Sequence, residues 1–511
     1  MEGWTIILII VAYFAMLTGI SWATSRKSDN QTWFSANRSA PWPVVAYGMV
    51  GASLSGVTFL SIPGWVATSQ FTYMPVVFGY LIGYAVIALV LLPVYYRLNV
   101  TSIYEYLGDR FGSVTHKSGA IFFLISRTVG AAFRLYLVAL VFQILLQKLG
   151  FPEVPFYLPV LVTIGLIFLY TFKGGIKTVV WTDLIQTTFM LLAAVLAFVG
   201  IASAMDMSPA ALIGSISDSD LSKMFITDWT DKSHFLKQII SGAFIAIAMT
   251  GLDQDMMQKN LTCPDKRSSQ KNIALFCVVL LFVNVGFLML GGALYTYGFD
   301  QGIVAMTQDA SNPITILDPE SGIHMPRKTD ELFPYLALDF LSPAIAATFL
   351  LGLIAAAYSS ADSALTGLTT SFCVDFLGLS RKPADPSDVR TRHIVQIVFA
   401  IILFIVILIF RRVSEPSVIS SIFKAAGYTY GPLLGYFFFG LFMPRKLRPD
   451  LLTPLAAVIA VILTWFIGNH FSNSIGFLIL PVNGALTFIL LGLFSLLPGR
   501  TTSEINQSEA Q

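Results

Sequence analysis

Two segments of the sequence decide the fold: GASLSGVTFLSIPGW at residues 51–65 and AMTGLDQDMMQKN at residues 248–260. Each lies in an apolar stretch long enough to cross a membrane, and each contains residues that disfavour a continuous helix. These residues are Gly51, Gly56, Pro63 and Gly64 in the first segment and Gly251, beside the polar pair Asp253 and Gln254, in the second. Backbone that is unwound inside a membrane must be satisfied by protein or by a ligand. Both segments are therefore candidate binding sites.

The rest of the chain has the composition of a membrane protein. Mean hydropathy is +0.74, 55% of residues are apolar and 12% are charged, about half the charged fraction of a soluble domain. A net charge of +2 and three scattered cysteines indicate no nucleic-acid surface, disulfide framework or metal site. The N-terminus lacks the basic region of a signal peptide. We expect a multi-pass protein of a bacterial inner membrane, surrounded by lipid and without a nucleic-acid partner.

About 13 apolar segments have the length of a membrane span, roughly 20 residues. They lie at residues 4–22, 44–69, 73–96, 120–149, 156–172, 177–205, 235–258, 273–297, 333–377, 393–410, 418–442, 451–469 and 474–497. The ninth is long enough to form two pieces or a kinked helix. The interrupted segments are the second and the seventh, which is the spacing of a five-plus-five inverted repeat.

The repeat divides an all-α chain into five units. We expect an extra helix and cytoplasmic linker at 1–42, the first repeat at 43–205, an extracytoplasmic loop at 206–234, the second repeat at 235–443, and two C-terminal helices with a short cytoplasmic tail at 444–511. Glycine and proline are common in membrane helices anyway, so the prediction depends on the matched spacing. The outer segments 206–234 and 300–332 have the length of short surface helices or an external lid.

Lysine and arginine positions predict the orientation, because cytoplasmic loops are enriched in both. An extracytoplasmic N-terminus and a cytoplasmic C-terminus place most of the 31 basic residues inside. The inside set includes Arg26, Lys27, Lys259, Arg445, Lys446 and Arg448. The adjacent Arg411 and Arg412 are the clear exception.

A cluster of hydroxyl groups lies in GLIAAAYSSADSALTGLTTSF, residues 352–372. Ser359, Asp362, Ser363 and Thr366 recur at helical spacing and share one face. The sixth span adds a second carboxylate, Asp183, between Thr182 and Gln186. Serines in membrane helices often only bond to neighbouring helices, but a carboxylate there needs a partner. Carboxylates, hydroxyls and freed carbonyls together predict a site for a dehydrated sodium ion.

Two arginines, Arg127 and Arg134, lie seven residues apart on one face of the fourth span. An arginine at the centre of a membrane helix costs roughly 2.5–3.5 kcal/mol, and its fork of donors suits a carboxylate. The deeper Arg134 is our candidate for contacting an anionic substrate. Alternatively, the arginines pair internally, or Arg127 extends to the cytoplasmic surface. The candidate internal partners are Asp183, Asp253 and Asp255.

Taken together, these segments resemble the sodium:solute symporter family. The resemblance runs from about residue 13 to residue 442, and its specific pieces are GASLSGVTFLSIPG, TSIYEYLGDRFG, FKGGIKTVVWTDLIQ, DQDMMQKNL, AAAYSSADSALTGL and AGYTYGPLLGYFFFG. It implies the LeuT-type fold, which has the five-plus-five repeat with one helix before it and two after.

The resemblance also implies where sodium and solute bind. The main sodium site would use backbone carbonyls of Gly56, Phe59 and Ala356 and the hydroxyls of Ser359 and Ser360. A second sodium would be held by Asp183, Ser359, Asp362 and Ser363. Asp362 stands where the family pattern has a serine, so the sequence leaves open whether one or two sodium ions bind.

The implied substrate pocket lies beside the first helix break. Its residues are Thr58, Ser61, Pro63, Phe78, Ile82, Asp253, Gln254 and Met257, with Arg134 added from its charge. Sugar-binding members carry a polar residue at the position of Pro63, and sialic acid members carry a glutamine where Ile82 falls. Both departures count against those two substrates.

The sequence therefore predicts a sodium-coupled symporter that imports a small organic solute by alternating access and functions as a monomer. An anionic solute of the carboxylate or sialic acid type is our first expectation, and a sugar or inositol is the second. In a proton-coupled relative, Asp183 and Asp362 would carry the proton. A channel would need a polar stripe along a whole pore, whereas the polar residues of this sequence cluster in the middle of single helices. An enzyme is not expected, because the five histidines form no HExxH-type pair and no nucleophile–base motif is present.

Overall fold

The computed structural model describes most of the chain. The described residues are 3–24, 30–148, 150–151, 153–172, 175–309, 311–319, 321–379, 386–412, 418–444, 450–471 and 475–496. Of the basic residues used above to predict the orientation in the membrane, Arg26, Lys27, Arg445, Lys446 and Arg448 lie outside these ranges.

The described chain is mostly helical. In chain order the α-helices are α1 (Gly3–Thr24), α2 (Asn30–Ser35), α3 (Trp42–Ser53), α4 (Gly56–Ser69), α5 (Met74–Val86), α6 (Leu92–Leu98), α7 (Glu105–Phe111), α8 (Ser113–Lys148), α9 (Tyr157–Thr171), α10 (Gly175–Ala204), α11 (Pro209–Ser217), α12 (Phe235–Ala246), α13 (Gln254–Asn260), α14 (Lys266–Asp300), α15 (Leu332–Tyr335), α16 (Pro343–Ser371), α17 (Pro386–Phe410), α18 (Val418–Thr429), α19 (Gly431–Phe442), α20 (Leu452–His470) and α21 (Ile479–Phe494). Short 3₁₀ turns lie at Ala36–Arg38, Asp220–Ser222, Thr329–Glu331 and Gly476–Leu478. Wider π-helical turns lie at Ile87–Leu91, Ile247–Gly251, Leu336–Phe340 and Phe372–Phe376.

The polytopic architecture is confirmed. Among the described residues, 8 helices are long and apolar enough to cross a membrane, and 2 further pairs of helices pass the same test as bent spans. Shorter apolar helices stand at Ile10–Thr24, Tyr157–Thr171 and Gly431–Phe442, where the other predicted spans lie. The exact number of crossings and the orientation of the termini stay predictions.

Both predicted helix breaks are present. The α3–α4 pair bends by 56° and the α12–α13 pair bends by 72°. Each second half begins with a polar cap: the Ser55 side chain accepts from the Val57 N–H, and the Asp253 side chain accepts from the Met256 N–H. Such caps satisfy backbone donors that a helix start leaves free. Pro63 lies inside α4, so the break occurs at Leu54–Ser55 and not at the proline.

Small residues let α3 pack closely on α10. A methyl group at Gly48 would come within 3.0 Å of the Asp183 Cβ, and one at Gly51 would lie 3.2 Å from the Ser359 hydroxyl. The α10 helix also packs along α16. The first helix break, Asp183 and the hydroxyl-rich stretch of α16 therefore meet in the protein interior.

The outer segments differ from each other. The first contains a short helix, α11, as expected. The second forms a three-stranded antiparallel sheet of β1 (Val304–Met306), β2 (Ile314–Leu317) and β3 (His324–Arg327). These strands are too short for alternating hydrophobicity to reveal them, and the sequence did not predict them.

The long ninth span is in two pieces, as its length suggested. α15 and its π-helical turn end at Phe340, and α16 begins at Pro343, after an extended Leu341. Proline at the first turn of a helix needs no N–H partner and suits this start.

Replacing Gly79 with alanine should destabilise the protein by about 1–3 kcal/mol, the usual cost of overpacking. Its new methyl group would overlap the carbonyl oxygen of Ile239, because α5 and α12 touch backbone to backbone there. Thermal unfolding of the purified variant measures the effect. Gly165→Ala is the matched control, since nothing lies within 4 Å of that position. Equal melting temperatures for the two variants would contradict the close packing.

Candidate functional site

The first helix break contacts the hydroxyl-rich stretch of α16. The Ser360 hydroxyl lies 3.5 Å from the Ala52 carbonyl oxygen and 3.3 Å from the Ala356 carbonyl oxygen. All three residues are fully buried. Three oxygen atoms from two helices thus converge beside unwound backbone, and oxygen ligands of this kind suit a small hard cation.

In the first broken span, the carbonyl that contacts Ser360 belongs to Ala52 and not to the predicted Gly56 or Phe59. Gly56 and Phe59 lie in the first turn of α4, where helical carbonyls point along the helix and accept hydrogen bonds from later N–H groups. Free carbonyls belong to the last turn of α3, and Ala52 lies in that turn. Gly56 instead packs against Ala357. The predicted carbonyls of Gly56 and Phe59 thus lie beyond the break, four and seven residues after the Ala52 oxygen that contacts Ser360.

The predicted second sodium site contains a lysine. Lys259, which the charge pattern placed in a cytoplasmic loop, lies in α13 with its side chain 1% exposed. Its Nζ is 2.6 Å from Asp183 Oδ2. The other oxygen, Asp183 Oδ1, accepts from the Ser359 hydroxyl at 2.6 Å. Both carboxylate oxygens of Asp183 therefore have protein partners.

Asp362 lies nearby with its own set of donors. Its Oδ2 accepts from the Tyr170 hydroxyl at 2.9 Å and from the Thr182 hydroxyl at 3.5 Å, and its Oδ1 accepts from the Ser363 N–H at 2.6 Å. The Ser363 hydroxyl donates to the Ser359 carbonyl at 3.0 Å. The four predicted residues are together, but as a hydrogen-bonded network that includes Lys259.

A central cavity lies on the other side of the first break. It is bounded by the α3–α4 break, α5, α8, the π-helical turn after α12, α14 and α18. Its wall is rich in hydroxyl and amide groups. These groups belong to Ser53, Ser55, Thr58, Tyr73, Tyr80, Tyr84, Thr250 and Asn284. Such a wall can hydrogen-bond a polar solute at many points.

Both membrane arginines line this cavity, but only one is paired. Arg127 makes an ion pair with Asp255, and its Nη1 lies 3.9 Å from Asp253 Oδ2. Arg134 has no ion pair or hydrogen bond with any residue that the structure describes, and its Nε is enclosed without a partner. The internal-pair alternative thus holds for Arg127, while Arg134 keeps free donors at the cavity.

Most of the other predicted substrate residues lie away from this cavity. Thr58 and Arg134 line it. Ile82 is 54% exposed, and Phe78 stacks on Phe225. Pro63 packs against Gly291 of α14. Ser61 and Met257 are buried outside the cavity wall, although the neighbouring Met256 contributes to it.

The polar residues at the second break are used structurally. Gln254 donates to the Thr101 carbonyl at 2.8 Å and accepts from the Ile103 N–H at 2.9 Å. Asp253 accepts from the Tyr430 hydroxyl and caps α13. These bonds hold α13 against neighbouring elements of the bundle rather than pointing polar groups at a solute.

Two tyrosines of α5 that line the cavity were not among the predicted substrate residues. Tyr80 and Tyr84 line the cavity, two positions away from Phe78 and Ile82. Two residues turn a helix by about 200°, which is nearly the opposite face. A preference for polar over apolar residues at this spacing would have identified these two tyrosines.

A second cavity lies on the side of the 206–234 segment. It is lined by Lys232 and Lys424, among others, and shares only Tyr73 and Phe423 with the central cavity. Phe423 contacts Phe477, and Phe477 contacts Trp65, with ring centroids 4.8 Å and 6.2 Å apart. A thin aromatic layer therefore separates the two cavities in the described structure.

Two broken helices that flank a polar, buried site for ion and solute define a cation-coupled secondary transporter. The model of the sodium:solute symporter family matches residues 33–449, and the chain belongs to this family. It is therefore a sodium-coupled symporter of a small solute in a membrane, and not an enzyme.

Individual relatives are similar over nearly their whole length. The chain is 26% identical to the sodium/sialic acid symporter NanT of Aliivibrio fischeri, over 93% of this chain and 89% of that one. It is 24% identical to the sodium/sialic acid symporter SiaT of Proteus mirabilis, over 95% and 93%. A solved Na⁺-coupled sialic acid symporter, substrate-bound and outward-open, has a TM-score of 0.79 at 21% identity and covers 97% of this chain and 98% of its own. That likeness confirms the LeuT-type fold.

Proposed function

We propose that the protein imports an acidic, polyhydroxylated solute of the sialic acid type together with sodium. The observation that carries this proposal is Arg134, a cavity arginine without a carboxylate partner among the described residues. A guanidinium in such a place is costly unless a ligand pairs with it, and its two parallel donors match a carboxylate. The names of the two bacterial relatives point to the same chemistry.

The remaining cavity wall favours a solute with many hydroxyl groups. Thr58, Thr250, Tyr80 and Asn284 contribute polar groups to this wall. A small monocarboxylate would satisfy Arg134 and leave the hydroxyls of Thr58 and Thr250 without a solute partner, which lowers affinity. A neutral sugar would satisfy them and leave Arg134 unpaired. Only an acid that also carries hydroxyls satisfies both.

For sodium, we propose a main site formed by the carbonyls of Ala52 and Ala356 and the hydroxyl of Ser360. Ser359, the neighbouring member of the predicted set, donates its hydroxyl to Asp183 and is not one of these ligands. In this assignment the ion joins the last turn of α3 to α16. Binding would hold the first break in the shape that presents Ser55 and Thr58 to the solute.

Alternating access follows from the two sides of the cavity. The aromatic layer of Phe423, Phe477 and Trp65 lies on the side of residues 206–234, which we assign to the outside. On the opposite side, Arg127 ties α8 to Asp253 and Asp255 at the second break. We propose that the layer opens for loading, and that α13 moves away from α8 for release of sodium and solute.

The test is uptake into proteoliposomes with an imposed inward sodium gradient. Three labelled solutes separate the alternatives: sialic acid, a neutral hexose and a small monocarboxylate. We expect sodium-dependent uptake of sialic acid that exceeds uptake of the other two at least tenfold. Selective uptake of the hexose or of the monocarboxylate would reject the proposed solute. Uptake driven by a proton gradient without sodium would reject the proposed coupling.

A further inference from the structure

The ion pair of Lys259 and Asp183 lies in the most enclosed part of the bundle. Both side chains are 1% exposed, and the distance from Nζ to Oδ2 is 2.6 Å. Asp183 belongs to α10 in the first predicted repeat, and Lys259 belongs to α13 in the second. The pair therefore connects the two repeats next to the hydroxyls of α16 that face the main sodium site.

This arrangement does not fit a sodium ion bound by Asp183. The ammonium group occupies one carboxylate oxygen, and Ser359 donates to the other. A sodium ion that approached either oxygen would meet the positive charge of Lys259 at close range in a medium of low dielectric constant. Ser363 and Asp362 are engaged as well, because Asp362 accepts from the Ser363 N–H and from Tyr170.

The lysine also supplies a link between helices at the place where a bound ion would supply one. A cation bound by the predicted second set would tie α10 to α16, because Asp183 lies on α10 and Ser359, Asp362 and Ser363 lie on α16. The Lys259 ammonium ties α13 to Asp183, and Asp183 in turn accepts from Ser359 of α16. Gly48 of α3 approaches the Asp183 Cβ at the same place. The helices α3, α10, α13 and α16 thus meet around the ammonium group of Lys259.

We propose that the ammonium group of Lys259 is a built-in cation that replaces a second sodium ion at Asp183, so that the protein couples one sodium ion to each solute molecule. The proposal rests on the proposed function above, since it concerns the stoichiometry of that transport. With a monoanionic solute such as sialic acid, a single sodium makes the cycle electroneutral. A second sodium would carry one net positive charge inwards.

Membrane voltage distinguishes the two stoichiometries. In proteoliposomes with equal sodium on both sides, a valinomycin-imposed potassium potential of about 100 mV, negative inside, should leave sialic acid accumulation unchanged for one sodium. For two sodium ions it should drive accumulation up to about fifty-fold. Voltage-driven accumulation by the wild type would overturn the proposal. Loss of all sodium dependence would instead overturn the proposed function.

Two variants test the role of the lysine itself. Lys259→Met leaves the Asp183 carboxylate without its cation, and we expect this variant to recruit a second sodium and to become voltage-driven. An active Lys259→Met variant that stays electroneutral would overturn the proposal. The double variant Asp183→Asn/Lys259→Met removes the pair without leaving a charge, and we expect it to keep a one-to-one stoichiometry.

The double variant also decides the matter if the single variant does not fold. If Asp183 were a sodium ligand in the wild type, removal of its charge would lower the number of coupled ions by one. An electroneutral double variant beside a voltage-driven wild type would therefore contradict the proposal. Retention of one sodium per solute in both proteins is the result that supports it.

Discussion

Replacing Arg134 with glutamine should abolish uptake of the acidic solute. Loss of one partner from a desolvated, hydrogen-bonded charge pair costs about 2–5 kcal/mol, which is roughly a thirtyfold to several-thousandfold loss. Arg134 has no described protein partner to lose, so the loss should fall on the solute. The measurement is the initial rate of sodium-driven sialic acid uptake over a range of concentrations.

Two controls separate this effect from misfolding. Arg134→Lys keeps the charge but not the fork of donors, so we expect activity between those of the wild type and the glutamine variant. Sodium should still raise the melting temperature of purified Arg134→Gln, because the sodium oxygens lie on α3 and α16. Uptake by Arg134→Gln at the wild-type rate would remove this residue from the solute site.

Replacing Ser360 with alanine should raise the sodium concentration for half-maximal transport about tenfold or more, which corresponds to at least about 1.4 kcal/mol. The variant removes a side-chain oxygen that contacts both the Ala52 and the Ala356 carbonyl. Transport at saturating sodium should be affected much less than transport at low sodium. The measurement is uptake as a function of sodium concentration at fixed solute.

A matched control lies on the same helix. Thr369 is buried in α16, and its hydroxyl donates to the Leu365 carbonyl of its own helix at 2.7 Å. Thr369→Ala also deletes a buried hydroxyl, but this one lies more than two turns from Ser360. We expect its sodium dependence to match the wild type, and an equal shift in both variants would indicate a general effect on α16.

The sequence was sufficient for the architecture because membrane folding leaves clear signals. Long apolar runs predict the spans, and the glycine-containing segments at 51–65 and 248–260 predict the two breaks. The breaks occur where polar caps, Ser55 and Asp253, can satisfy a new helix start. The hydroxyls of α16 share a face by helical geometry alone, and their meeting with Asp183 follows once the spans pack.

The details of the site depend on helix rotation and on contacts between distant segments, which a single sequence leaves undetermined. Tyr80 and Phe78 differ by about 200° in their direction around the axis of α5, so the rotation of this helix decides which of them faces the cavity. The choice between Ala52 and Gly56 depends on whether the break falls before or after Ser55. Lys259 looked like a loop residue because it lies near the end of its span, and only the packing of α13 against α10 brings it to Asp183.

The most direct test of the sodium assignment is equilibrium binding of ²²Na⁺ to the purified protein without solute. Oxygens of α3 and α16 that converge on one ion predict saturable binding to the wild type and to Thr369→Ala. They predict binding to Ser360→Ala that is at least about tenfold weaker. Sodium binding of equal affinity in Ser360→Ala and the wild type would contradict the account.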